Sequence, residues 1–328
     1  MSEIPAAHPT CLHCAGYAMP LLGPADARLA YVASSAVFPS GPFLRYWRAD
    51  AVSGFGTYVT LFALQTLVLL TLHGSAADIG WLNAARWLPY LVFGLVIGAV
   101  VEGKRRLPLM ISTDLVQAFL LLAIPVLWWT GWLSMLTLLL IVLALGTASV
   151  INAAAAMSLL PRLVEASELQ QAHARIGGAD AVSMTVGPAT GGLLVAALGP
   201  PLAVLVDSLT YLYSALTLSR IDLDEPSARQ GFEARDLLRE VRQGLRWIYH
   251  GSGLATLEIS THIWFIGNAI MGVVLAPYVL GELGLTAFQF GIIGAAGGVG
   301  AVLGAAWGRS APSASSWSDR GFMVWHSG

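Results

Sequence analysis

Apolar residues along this chain gather into eight long runs, at residues 43–72, 79–101, 107–129, 133–152, 173–198, 202–220, 254–280 and 287–307. Each run can cross about 30 Å of hydrocarbon at about 1.5 Å per residue, so the pattern predicts eight membrane-spanning helices. The polar connections between them alternate in character. Those at 73–78, 130–132, 199–201 and 281–286 are short and hold no Lys or Arg, while the other connections, the tails and the run ends that adjoin them carry all but one of the 17 basic residues. Basic loops face the cytoplasm, which places both ends of the chain inside and makes the cell membrane the expected location.

Composition agrees. With 56% hydrophobic and 11% charged residues and a mean hydropathy of +0.70, the chain has too few polar side chains to cover a water-soluble surface, whereas a lipid-facing protein needs few. The formal charge of -2 says nothing about partners, because the distribution of charge matters here rather than its sum. An all-α integral membrane protein follows.

The stretch GAVVEGKRR, Gly98 to Arg106, begins like a phosphate-binding loop, Gly followed by four residues and Gly-Lys. Such a loop follows a buried strand and places Ser or Thr after the lysine. Here Arg105 holds that place, Glu102 would face the phosphates, and both flanks are membrane runs. The stretch reads instead as a tight basic turn, with Lys104, Arg105 and Arg106 on the cytoplasmic side.

The remaining basic residue, Arg86, lies about 12 Å below the outer end of the second run, at a cost of about 2.5 kcal/mol or more in lipid. Asp114, Asp180 and Asp207 also fall within runs, and Glu258 lies near the inner end of the seventh. Intramembrane charges of this kind usually face a bundle interior or a wet cavity and mark a pathway; the alternative is interhelical glue or snorkelling to an interface. Pro188, inside VGPATGG (186–192), removes a backbone hydrogen bond and is expected to kink the fifth helix, while Gly187, Gly191 and Gly192 permit close packing or bending. Pairs at four-residue spacing, including Gly294 with Gly298 and Gly300 with Gly304, add weaker packing signals.

Outside the runs, residues 1–42 read as a disordered cytoplasmic tail. Its Cys11 and Cys14 are the only cysteines, crowded into CLHC without a second ligand pair, so no metal is implied. Residues 221–253 form a charged cytoplasmic loop in which Leu237, Leu238, Val241, Leu245 and Ile248 recur at helical spacing, predicting an amphipathic surface helix.

Six spans, a charged loop and further spans resemble the major facilitator superfamily. GAVVEGKRR resembles its signature turn after the second span: Gly98, Arg105 and Arg106 match, Glu102 stands for the usual Asp, and Gly103 for a common basic residue. GPATGG resembles the exporter motif of the fifth span, and NAARWLPYLVFGLVIGAVVE, SLLPRLVEASELQQAHA and LGLTAFQFGIIGAAGGVGAVLG resemble the drug and siderophore exporter branch, which contains enterobactin and macrolide exporters of the transmembrane secretion effector type.

The resemblance implies a twelve-helix transporter in two six-helix halves, of which about eight transmembrane helices are present here. Residues 43–220 would be the first bundle, 254–308 the first two helices of an incomplete second one, and 309–328 an atypical polar tail, expected to mark a truncated or frameshifted product. It further implies secondary export of small amphipathic molecules, with protons as coupling ion and no cofactor. Arg86, Asp114, Asp180 and Asp207 are then the coupling groups, Gly98, Glu102, Lys104, Arg105 and Arg106 an inner latch, and Gly187, Pro188, Gly191 and Gly192 the exporter motif. A membrane component that needs a partner, and self-association through the incomplete second half, stay open. No metal-spaced cluster and no activated nucleophile supports an enzyme. No nucleic-acid partner is implied.

Overall fold

The computed structural model describes residues 41–102, 104–223 and 255–310, with 242–243, 246–247 and 249 between them. The tail before Gly41, the CLHC cysteines, most of the 221–253 loop and the segment from 311 onward lie outside the described residues. All eight predicted spans are helices: α1 (Gly41–Thr71), α2 (Ala76–Glu102), α3 (Arg106–Trp129), α4 (Met135–Leu163), α5 (Leu169–Leu198), α6 (Pro200–Leu218), α7 (Ala255–Glu282) and α8 (Ala287–Ser310). Among the described residues six of these, α1 and α3 to α7, are long and apolar enough to cross a membrane, and Ala287–Gly300 is a shorter apolar helix. The described part contains no strand. The count that meets the length and apolarity requirement is therefore six rather than the expected eight.

Two boundaries differ from the apolar pattern. The first helix begins at Gly41, so Gly41 and Pro42 leave the expected tail, and Arg45 and Arg48 sit within the helix. The fourth helix runs on past Asn152 to Leu163, because the alanines at 153–156 favour helix and Ser158 returns its hydroxyl to Ala154 O (3.1 Å) rather than breaking the chain.

α1 packs against α5 and α6, α3 against α4 and α6, and α2 against α4. The helix ends opposite the basic turn meet in an apolar cluster. Phe62, Leu67, Val68, Ile79, Leu121, Leu138, Val195 and Val204 form it, joined by Ala276 and Val279 from the end of α7 and Phe290 from the start of α8. The Phe62 and Phe290 rings stack 4.7 Å apart and tie α8 to α1.

The α7–α8 hairpin repeats α1–α2. Both first helices end in a π turn, Leu67–Thr71 and Tyr278–Glu282, closed by Leu72 N–H to Leu67 O (3.0 Å) and Leu283 N–H to Tyr278 O (2.9 Å). A left-handed residue follows, His73 (φ 51°) or Gly284 (φ 62°). A reciprocal cap then starts the second helix. Ser75 N–H donates to Asp78 Oδ2 (2.7 Å), with Asp78 N–H returned to Ser75 Oγ (3.4 Å). Thr286 N–H donates to Gln289 Oε1 (2.9 Å), with Gln289 N–H returned to Thr286 Oγ1 (3.3 Å). Every matched pair is separated by the same 211 residues (289 − 78).

Candidate functional site

Four helices turn polar stripes toward one another inside the bundle. Asp207, Tyr211 and Ser214 follow the i, i+4, i+7 spacing of one α6 face; Asp114 and Gln117 share a face of α3, and Ser149 and Asn152 a face of α4. From α1 come Asp50, Ser53, Thr57 and Thr60. Between these stripes lie two chambers. The first, of about 210 Å³, lies toward the basic turn and is lined by Asp50, Ser53, Asp114, Asn152 and Ser214. The second, of about 240 Å³, lies deeper and is lined by Thr60, Arg86, Trp87, Tyr90 and Asp207, with Leu64, Leu121 and Val142 of the apolar cluster as its roof. Thr57, Gln117, Ser149 and Tyr211 line both, forming the neck between them.

Each buried carboxylate is held differently. Asp114, 2% exposed, accepts from Ser214 Oγ (2.6 Å) and Asn152 Nδ2 (2.7 Å), which joins α3 to α6 and α4. Asp207, 1% exposed, accepts from Thr210 Oγ1 (2.8 Å) on its own helix. It fits against α1 because residue 56 is glycine: a Cβ there would collide with Asp207 Oδ1 and Thr210 Oγ1. Arg86 shares the chamber with Asp207. Among the described residues it makes no ion pair with a carboxylate, and its guanidinium lies 5.2 Å from the Trp87 ring centroid, a cation–π contact.

Asp180 stands apart from both chambers. It is exposed on α5, where Tyr58 donates its hydroxyl to Oδ1 (3.1 Å). Beside it an open groove of about 590 Å³ runs between α1 and α5, lined by Trp47, Phe55, Arg175 and Val182. Asp50 was missing from the expected set, although its depth in α1 matches that of Asp114 in α3. The signal available was the polar stripe it begins.

The segment Gly187 to Gly192 packs on two sides. A Cβ at Gly187 would lie 2.5 Å from Tyr58 Cβ and one at Gly191 3.2 Å from Val59 O, so these two glycines admit α1. Pro188 and Gly192 meet α8: Pro188 O is 2.5 Å from where a Gly291 Cβ would be, and Ala287 O is 2.7 Å from that of Gly192. The helix runs unbroken through Pro188. Gly294 and Gly298 also rest on α5, at Pro188 and Thr185, so the packing signal of this pair is met by α5. Gly98 and Glu102 belong to α2, Lys104 and Arg105 are exposed in the turn, and Arg106 opens α3; the surroundings of Gly98 and Glu102 lie outside the described residues. Among the described residues no group of three or more His, Cys, Asp or Glu could hold a metal ion.

The family model described as transmembrane secretion effector matches residues 33–310. An uncharacterized MFS-type transporter of Sinorhizobium fredii is 27% identical over 250 residues, covering 72% of this chain and 60% of that protein. The multidrug efflux pump Tap of Mycolicibacterium fortuitum is 28% identical over 227 residues, covering 67% and 55%. Macrolide efflux protein A of Streptococcus pyogenes is 25% identical over 260 residues, covering 76% and 63%. The chain thus spans less than two thirds of the length of the curated relatives it matches. With an all-helical membrane fold and a family match over most of its length, the chain belongs to the transmembrane secretion effectors of the major facilitator superfamily.

Proposed function

We propose that this chain is the membrane-embedded core of a proton-coupled exporter of small amphipathic molecules, set in the cell membrane with the basic turn and both ends on the cytoplasmic side. The observation that carries the reading is the pair of polar chambers inside the bundle, holding Asp114, Asp207 and Arg86 where a purely structural bundle would be apolar. Intramembrane groups that can change charge are what proton coupling requires. Trp47, Phe55 and Arg175 give the α1–α5 groove aromatic faces and a cation, and its size falls in the range of about 300–1,000 Å³ used for drug-sized ligands. Asp180 sits at its edge. The names of the relatives, multidrug and macrolide efflux, support this substrate class.

Alternating access requires a second body that rocks against the bundle. Pro188 and Gly192 supply the pivot on which α8 turns, with Gly187 and Gly191 holding α5 against α1, and Glu102 with Lys104, Arg105 and Arg106 latches the inner face through charged contacts with helix ends. α7 offers an exposed apolar face, with Ile263 65% and Trp264 60% exposed, to the opposing body, whether further helices or a second copy.

Efflux of a fluorescent amphipathic dye from vesicles under an imposed pH gradient tests the reading, with the chain alone and with the chain fused after Ser310 to the C-terminal part of the Tap pump. The fusion is expected to give saturable efflux that vanishes when the gradient is collapsed, and the chain alone none. Arg86→Lys, which loses the planar five-donor fork, should lower efflux by about tenfold. Efflux indifferent to the gradient, or full activity in Arg86→Ala, overturns the reading.

A further inference from the structure

We propose that the neck between the two chambers is a proton relay, in which the Tyr211 hydroxyl carries protons between Asp207 and Asp114 along a path too narrow for the exported molecule. The inference rests on the proton-coupled reading above and adds to it the route and the residues that close it.

Size decides what the path can carry. Pockets for drug-sized ligands run from about 300 to 1,000 Å³, and each chamber is smaller than that. A water molecule occupies about 30 Å³, so each chamber takes a handful of them, and polar walls supply the two to four partners that an enclosed water needs. The interior of the bundle is therefore sized for water and protons, whereas the α1–α5 groove is sized for substrate.

The neck itself is closed by two hydrogen-bonded pairs. The Tyr211 hydroxyl lies 3.0 Å from Thr57 Oγ1, and Ser149 Oγ donates to Gln117 Oε1 at 2.9 Å. Thr57 already donates to Ser53 O (3.0 Å), which leaves Tyr211 as the donor to Thr57. Gln117 is 2% exposed, and among the described residues its amide nitrogen has no hydrogen-bond acceptor. It lines both chambers, so that donor is available to water in the path.

The titratable and charged groups along the route are Asp50, Tyr46 and Asp114 on the side of the basic turn and Arg86, Tyr90 and Asp207 on the other. Beyond Asp207 the apolar roof of Leu64, Leu121 and Val142 caps the far end of the deep chamber, and the neck joins that chamber to the one on the side of the basic turn. The step moves one proton. The Asp207 carboxyl loses it to chamber water, the Tyr211 hydroxyl takes it on its oxygen while passing its own to Thr57 Oγ1, Thr57 turns its own proton from Ser53 O to the water beyond, and the Asp114 carboxylate receives one from that water. No bond other than O–H forms or breaks, and no electron changes hands.

Stopped-flow infrared spectroscopy of the full chain in nanodiscs tests this after a jump from acid to neutral pH. The carboxyl bands of Asp207 and Asp114 are assigned by their loss in Asp207→Asn and Asp114→Asn. Tyr211→Phe keeps the ring and removes only the hydroxyl. It should slow deprotonation of Asp207 at least tenfold and leave Asp114 within twofold, and Gln117→Leu should slow Asp207 in the same sense. An unchanged or faster Asp207 in Tyr211→Phe overturns the relay, and so does an equal slowing of both carboxyls, which would report a global change in packing. Because this readout involves no export, a chain that fails the dye assay and passes this one keeps the path and loses only its coupling to efflux.

Discussion

Gly56 and Gly267 hold the same place in the two halves of the repeat, and they do opposite things. Gly56 lies on a face of α1 pressed so tightly against α6 that a methyl group would strike the Asp207 carboxylate. Gly267, the same 211 residues on, has nothing within 4 Å of where its Cβ would be. The hairpins that carry them share a π turn, a left-handed residue and a reciprocal cap. Local chemistry therefore builds the same hairpin twice, because a membrane helix satisfies its own backbone. Enclosure differs: α1 is covered by α5 and α6, while of α7 only Ala276 and Val279 are buried.

Substitution at these glycines breaks the comparison most sharply. Gly56→Ala should lower stability by about 1–3 kcal/mol through overpacking, whereas Gly267→Ala should raise it by up to about 1 kcal/mol, since alanine is the better helix former in open space. Thermal unfolding of both variants in detergent checks this, and equal effects would remove the distinction between a closed and an open half. The caps come next, and here the halves should agree. Ser75→Ala and Thr286→Ala should each destabilise by about 1 kcal/mol, because each removes the side-chain oxygen that serves a helix-start N–H; hydrogen exchange at Asp78 and Gln289 amides reports it site by site. The smallest effect is expected at the left-handed position. Gly284→His should cost a few tenths to about 1 kcal/mol, with His73→Gly neutral or slightly stabilising, as only the non-glycine residue resists positive φ. A stabilising Gly284→His would show that the turn is held by its side chain rather than its backbone.

The helices were legible because a run of about 20 apolar residues has one available structure in a bilayer. The interior was less so. Asp114 and Asp207 stand out as lone charges, but Asp50, Thr57, Gln117, Ser149 and Tyr211 look unremarkable one at a time; only their helical spacing, taken across four helices at once, marks a wet seam. Arg86 stands out as a charge but its partner does not, since sequence separation gives no sign that its own neighbour Trp87 would lie against the guanidinium. The covering of Gly294 and Gly298 by α5 was likewise hidden, because a small residue announces close approach without saying to what.

The apolar roof over the deep chamber has an electrical consequence. If water fills the two chambers, the membrane voltage would fall little across them and concentrate across the apolar layer to which Leu64, Leu121 and Val142 belong. On the proposed relay, a proton crossing from the far side to Asp207 would do most of its electrical work in that layer, about 2.3 kcal/mol per 100 mV, and its passage through the neck would be nearly silent to voltage. Thickening or wetting the roof by a single side chain would therefore change how strongly the protein feels the membrane potential while leaving every polar residue in place.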